Sequence, residues 1–124
     1  MKTILGVAGA AVLAIALVAC GGASKNATAC KLYEDGYNQL ADSVRLNLGA
    51  DIVKSDRNML PSRIKDALDK AEGDVAVAIR ESKELAPGLA SGDSDAGTAF
   101  FMTTDTVAEK CKADGAPIEL HPTH

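Results

Sequence analysis

Catalysis needs nucleophiles, acid–base groups or metal ligands within reach of one another, and this chain offers few of them. Its only two histidines, His121 and His124, fall within the last four residues. A Ser-His-Asp arrangement or a two-histidine metal site inside a folded body is thereby excluded. The two histidines could clasp a soft metal together with the terminal carboxylate, but a polar tail over residues 121–124 is the simpler expectation. Three cysteines are present, Cys20, Cys30 and Cys111, without a Cys-x-x-Cys pair, so neither a thioredoxin-like motif nor a zinc knuckle is suggested. The carboxylate pairs Glu34-Asp35 and Asp93/Asp95 read as surface charge and helix caps. The stretch Asp51 to Asn58 lacks the spacing of a calcium loop, and there is no glycine-rich phosphate loop. These features predict no catalytic residue, no metal site and no cofactor.

What remains is contact chemistry. Ala99-Phe100-Phe101-Met102-Thr103-Thr104 is the most unusual local composition. Adjacent residues on a helix point about 100° apart, so one phenylalanine can enter a core while the other meets a partner. With Ile118 and Leu120, which should fold back as an apolar flap, Phe100, Phe101 and Met102 make the candidate partner-contact patch. Tyr33 and Tyr37, four residues apart, read as core residues whose hydroxyls reach the rim.

The elements that must position these groups are helices. Cys30, Tyr33, Tyr37, Leu40 and Val44 recur at three- and four-residue steps, predicting a helix from about Ala29 to Leu48 with Thr28 as N-cap and Gly49 after its end. Asp51 to Leu60 reads as a connection, with Ile52, Val53, Met59 and Leu60 folding onto the core. Leu60-Pro61 marks a boundary. Ile64, Ala67, Leu68 and Ala71, then Val75, Ala78, Ile79 and Leu85, carry a stripe to about Leu85, with Val77 near it. Gly73-Asp74 is either a glycine inside one long helix or a break between two. Ala86-Pro87-Gly88 ends that segment. Asp93 or Ser94 caps a last helix from about Asp95 to Asp114, stopped by Gly115 and Pro117. The fold class is all-α, a small bundle of three or four helices over residues 29–120.

The first residues carry a separate signal. Lys2 precedes sixteen uncharged, mostly aliphatic residues, Ile4 to Ala19. That run is shorter than the roughly 18 needed to span a bilayer and has the pattern of a signal-peptide core. It ends in Leu17-Val18-Ala19-Cys20, then Gly21-Gly22. This stretch resembles the lipobox of bacterial lipoproteins. The resemblance implies diacylglycerol on the Cys20 sulfur, cleavage after a signal peptide of residues 1–19, and a lipid anchor holding the protein on the extracytoplasmic side of a cell membrane. More than one acyl chain on one residue gives stable anchoring. Residues 20–28 then read as a lipidated flexible tether. The sequon Asn26-Ala27-Thr28 is expected to be a chance match.

Removal of residues 1–19 leaves 105 residues, enough for one domain, with 12 basic and 17 acidic side chains and a net charge of −5. There is no basic run and no tryptophan, which disfavours nucleic-acid binding. With Cys20 assigned to lipid, Cys30 and Cys111 remain as a pair in an oxidising, exported setting. A bridge between them could stabilise the body by about 4 kcal/mol. It also constrains topology. Three antiparallel helices would put the two cysteines at opposite ends, whereas a disulfide needs Cα atoms within about 7 Å. Either 61–85 breaks at Gly73 to give four passes, or the helices cross steeply, or the cysteines are unpaired. We favour the bridge.

The body also looks like the small, Ala- and Asp-rich lipoproteins of actinobacteria and their phages, on Cys30-Lys31-Leu32-Tyr33, Phe100-Phe101-Met102 and Cys111 to Ile118. That group has no common activity, but some of its phage members block infection by related phages. The resulting expectation is a membrane-anchored, non-enzymatic binding module that meets an envelope or phage protein, superinfection exclusion being one version of it. The alternative is a small-ligand or lipid carrier of the envelope, although the Ala-rich core lacks the surplus of large apolar residues that a carrier cavity needs.

Overall fold

The computed structural model describes residues 24–123. The expected signal peptide of residues 1–19, the expected lipidation site Cys20, the glycines after it and His124 lie outside the described residues. Among the described residues four helices follow one another: α1 (Ala27–Arg45), α2 (Ala50–Leu68), α3 (Gly73–Ser91) and α4 (Ser94–Ala113). The protein is an all-α bundle, with no strand among the described residues. Each helix is about 28–30 Å long. No described helix is long and apolar enough to cross a membrane.

The passes alternate up and down, and one pole gathers the start of α1, the start of α3 and the end of α4. Asn26, just before α1, joins them: its Oδ1 accepts from the Glu72 N–H at 2.8 Å and its Nδ2 donates to Asp114 Oδ2 at 2.9 Å. Asp114 also accepts from the Ser24 hydroxyl. The clasp leaves Asn26 almost wholly buried with both ends of its amide engaged, which removes it as a glycosylation acceptor. It also shortens the expected tether, because Ser24 to Thr28 belong to the folded body. The N-cap is Asn26 rather than Thr28, and α1 starts two residues earlier than its stripe suggests.

The core is filled by Tyr33, Phe100, Leu60, Ile64, Ile79, Val75 and Val107, with alanines between them. Small residues let the helices approach closely. A Cβ on Gly88 would lie 2.4 Å from the Ala96 Cβ, and one on Gly36 would lie 3.0 Å from the Arg63 Cβ. Inside the core the Tyr33 hydroxyl and Ser82 Oγ form a 2.6 Å hydrogen bond between α1 and α3, so neither buried oxygen is left without a partner.

Two of the sequence boundaries are overturned. Residues 51–60 are helical, and α2 runs through Pro61. Val53, Asp56, Leu60, Ile64 and Ala67 form one continuous inward stripe, and burying it outweighs the helical hydrogen bond that proline removes. Asp56 can join that stripe because Arg63 reaches it at 3.2 Å. Ile52 and Met59 do not fold onto the core but stand about half exposed, as does Val77. Likewise α3 continues through Pro87 to Ser91. Pro87 is exposed, so the Lys83 carbonyl it leaves without a helical partner can be solvated. The segment 61–85 is divided between α2 and α3, with the break just before Gly73.

At the end of α4 the expected stop is present in full. Gly115 has φ +84°, its N–H donates to the Lys112 carbonyl, and the Ala116 N–H donates to the Cys111 carbonyl. This paired closure turns the chain sharply. Residues 116–121 then run back along α1.

Candidate functional site

The four-pass topology brings Cys30, on the first turn of α1, beside Cys111, on the last turn of α4. Their Cα atoms are 6.0 Å apart and their sulfurs are at bonding distance. Both are fully buried. The steric objection to pairing therefore disappears once the chain breaks between α2 and α3.

The five residues expected to form a partner patch do not make one surface. Phe100 is fully buried and stacks on Tyr37, with ring centroids 6.5 Å apart. It belongs to the core and meets no partner. Phe101 is half-buried, edge-on to both Phe100 and Tyr37. Its outer side lines an open cleft of about 290 Å³ with Arg57, Leu89 and Gly97. Met102 is 67% exposed. Ile118 and Leu120 are half-buried, and Ile118 lines a different cleft, beside Cys30, Lys31 and Glu34.

The more conspicuous apolar surface is one the sequence reading missed. Leu46, Leu48 and Ile52 are 55%, 50% and 48% exposed at the corner between α1 and α2. Asn47 is held there at φ +55° and Gly49 at φ +115°. The left-handed conformation at Asn47 is one that asparagine tolerates better than most residues. It separates two leucines that α1 can no longer bury. The signal was available as Leu-Asn-Leu-Gly, a turn whose flanking residues are both large and aliphatic.

The C-terminal segment is also more ordered than a polar tail. Asn38 on α1 donates from Nδ2 to the Glu119 carbonyl at 2.9 Å and accepts from the His121 N–H at 2.7 Å. One turn earlier, Glu34 accepts from the Glu119 N–H at 2.6 Å. One turn later, the His121 imidazole lies 2.9 Å from Asp42 Oδ1. The hydrogen bond from His121, helped by one from Arg45, holds the Asp42 carboxyl below its ordinary range. At the other pole the hydrogen bonds from Ser24 and then Asn26 do the same for Asp114. Burial pushes the Tyr33 phenol up, against the smaller opposing effect of its bond to Ser82.

Candidate catalytic carboxylates are committed to structural duties. Asp93 accepts from the Asp95 and Ala96 N–H groups at the start of α4. Glu34 and Asp35 both pair with Lys31, and Glu34 also holds the C-terminal segment. Among the described residues no three His, Cys, Asp or Glu side chains converge as a metal site would require. A further cleft, about 420 Å³, lies at the pole where the described chain enters the body and is lined by Lys25, Lys110, Glu72, Asp74 and Asp114, a set of mixed charge. No known protein family matches the chain, and no curated protein or solved structure matches it either.

Proposed function

We propose that this protein is a lipid-anchored, non-enzymatic binding module of the cell envelope, held by Cys20 and presenting a rigid helical body to another protein. The observation that carries this reading is polarity of layout. The chain enters the body at Ser24, four residues after Cys20, while the exposed Leu46-Leu48-Ile52 corner sits at the opposite pole. An anchor at one end therefore directs the exposed aliphatic corner away from the membrane. Clustered large aliphatics on an otherwise charged surface mark contact sites. Confinement to a membrane face raises local concentration, so a small apolar contact can give useful occupancy. Exclusion of an infecting phage is one form such binding could take.

Two measurements test the reading. Intact-mass analysis of the protein from membranes should give an N-terminus at Cys20 carrying acyl mass, and Cys20→Ala should lose that processing. A photo-crosslinking residue placed at position 48 in living cells should capture a defined protein, whereas one placed at exposed Lys65 should not. An unmodified N-terminus removes the anchor, and absence of any crosslinked protein at position 48 removes the corner as a contact site.

A further inference from the structure

The segment 116–121 is bound to α1 the way a partner's chain would be. Its residues alternate: Ala116, Ile118 and Leu120 are half-buried against the bundle, while Pro117 and Glu119 are exposed. That is the period of an extended chain with one face down. The bonding repeats as well. Glu34, Asn38 and Asp42 are four apart on one face of α1, and they engage backbone or side-chain groups of Glu119 and His121, two apart on the strap. One helical turn rises about 6 Å for four residues, and two extended residues rise about 6.6 Å. The two repeats therefore stay in step, and a row of polar side chains on a helix can read the backbone of a chain beside it. Three of the four bonds go to main-chain groups, which any extended sequence supplies.

The fit of the resident segment is incomplete. A cleft of about 220 Å³ remains beside Ala116, Pro117 and Ile118, bounded by Ala27, Cys30, Lys31 and Glu34. A larger aliphatic side chain at the position of Ala116 would occupy part of it. At the other end Asp42 faces His121, and a permanently cationic arginine there would pair with Asp42 as a bidentate acceptor.

We infer that the Glu34-Asn38-Asp42 face of α1 is a recognition groove for an extended protein segment with aliphatic residues two apart followed by a basic residue, and that residues 116–121 are a resident strap which such a segment displaces. Gly115, already in the left-handed conformation at the end of α4, is the point where the strap departs. The inference rests on the binding-module reading and assigns it a second surface, distinct from the Leu46-Leu48-Ile52 corner.

The test uses the full disulfide-bonded chain and two fluorescent peptides. One has the sequence of residues 116–123; the other has leucine in place of Ala116 and arginine in place of His121. Anisotropy should show saturable binding, at least tenfold tighter for the second peptide. Leu120→Ser and, independently, Glu119→Pro loosen the resident strap in different ways, the second without touching an apolar contact. Either should tighten peptide binding about tenfold, and adding Asn38→Ala should abolish it. In the wild type, saturating peptide should accelerate hydrogen exchange at the Glu119 and His121 amides. Unchanged exchange at those amides with peptide in excess overturns the inference, as does binding that persists with Asn38→Ala. Failure here with crosslinking at position 48 intact would remove the groove and leave the corner; the converse would remove the corner and leave the groove.

Discussion

Glycine-to-alanine changes at two helical positions should move stability in opposite directions. In a helix interior where the added Cβ meets no clash, alanine in place of glycine stabilises by about 1 kcal/mol, because glycine loses more backbone freedom on folding. At Gly97 in α4 the new Cβ would meet only Leu89 Cδ1, at 3.8 Å, an ordinary contact, so Gly97→Ala should gain most of that amount. At Gly88 in α3 the new Cβ would fall 2.4 Å from the Ala96 Cβ. Carbon atoms settle at about 3.5–4.0 Å, so α3 and α4 would have to part by about 1 Å or more. Overpacking of this kind costs about 1–3 kcal/mol. Set against a propensity gain of about 1 kcal/mol, Gly88→Ala should lose up to about 2 kcal/mol, as much as several degrees in Tm for a body of this size. Ala96→Gly in the Gly88→Ala background should relieve the clash, giving a coupling of about 1–3 kcal/mol in a double-mutant cycle. Urea unfolding of the oxidised protein, followed by circular dichroism, measures the four forms of the cycle and Gly97→Ala. Equal stabilisation by Gly88→Ala and Gly97→Ala would refute the close approach of α3 to α4.

Reducing the Cys30–Cys111 bridge, which spans 81 residues, should cost about 4 kcal/mol by the chain-entropy relation, read as a lower urea midpoint in reductant; an unchanged midpoint would show that the bridge does not form in solution. Tyr33→Phe should cost about 1–3 kcal/mol by leaving Ser82 Oγ buried without its partner, and Tyr33→Phe with Ser82→Ala should cost less than Tyr33→Phe alone; equal losses would mean water already serves Ser82. The carboxyls of Asp42 and Asp114 are held below their ordinary value of 3.8, so their contributions are complete above it and are lost as pH falls through the lowered values. Between pH 5 and pH 2, hydrogen exchange should therefore report release of the strap at His121 and loosening of the Ser24-Asn26 clasp, and a strap equally protected throughout would refute the Asp42 contact.

The legibility of this chain depended on whether a signal was local. The cap of α4 and the Gly115 stop are short-range backbone chemistry: residue type narrows the cap to Asp93 or Ser94, of which Asp93 makes it, and places the stop at Gly115. The pairing of Cys30 with Cys111 was legible as a constraint before the topology was, and it is compatible with the four passes that the break before Gly73 creates. The helix α2 was not legible. Its inward stripe contains Asp56, which reads as solvent-facing until Arg63 is placed beside it seven residues later, and Pro61 punctuates the same stretch. At Phe100 and Phe101 the split into one inward and one outward ring was readable, and the stripe Ala96, Phe100, Val107 and Cys111 already puts Phe100 on the inward face. Tyr37 stacks on Phe100 there. Asn38 gave no signal at all, since an asparagine that reads another segment's backbone looks in sequence like any other exposed polar residue.

The ties of this molecule are concentrated along one thinly packed seam. Consecutive helices pack extensively against each other, but α1 and α4, the first and last of the described helices, touch far less. That seam holds the disulfide at one end and the Tyr37–Phe100 stack farther along. The C-terminal strap starts from the end of α4 and lies along α1, and the Asn26–Asp114 bond joins the same two helices at the pole. A cross-link removes conformations from the unfolded chain, and a strap supplies apolar cover to a groove the two helices do not fill themselves. The consequence is a graded seam. Its pole is locked covalently and by a buried amide, while its upper part is closed by a segment with exposed alternate residues and one departing hinge. Local opening should begin at the strap and stop at the cysteines, because each step toward the pole breaks a stronger tie. That gradient lets the α1 groove exchange one extended chain for another without unfolding the bundle that presents it.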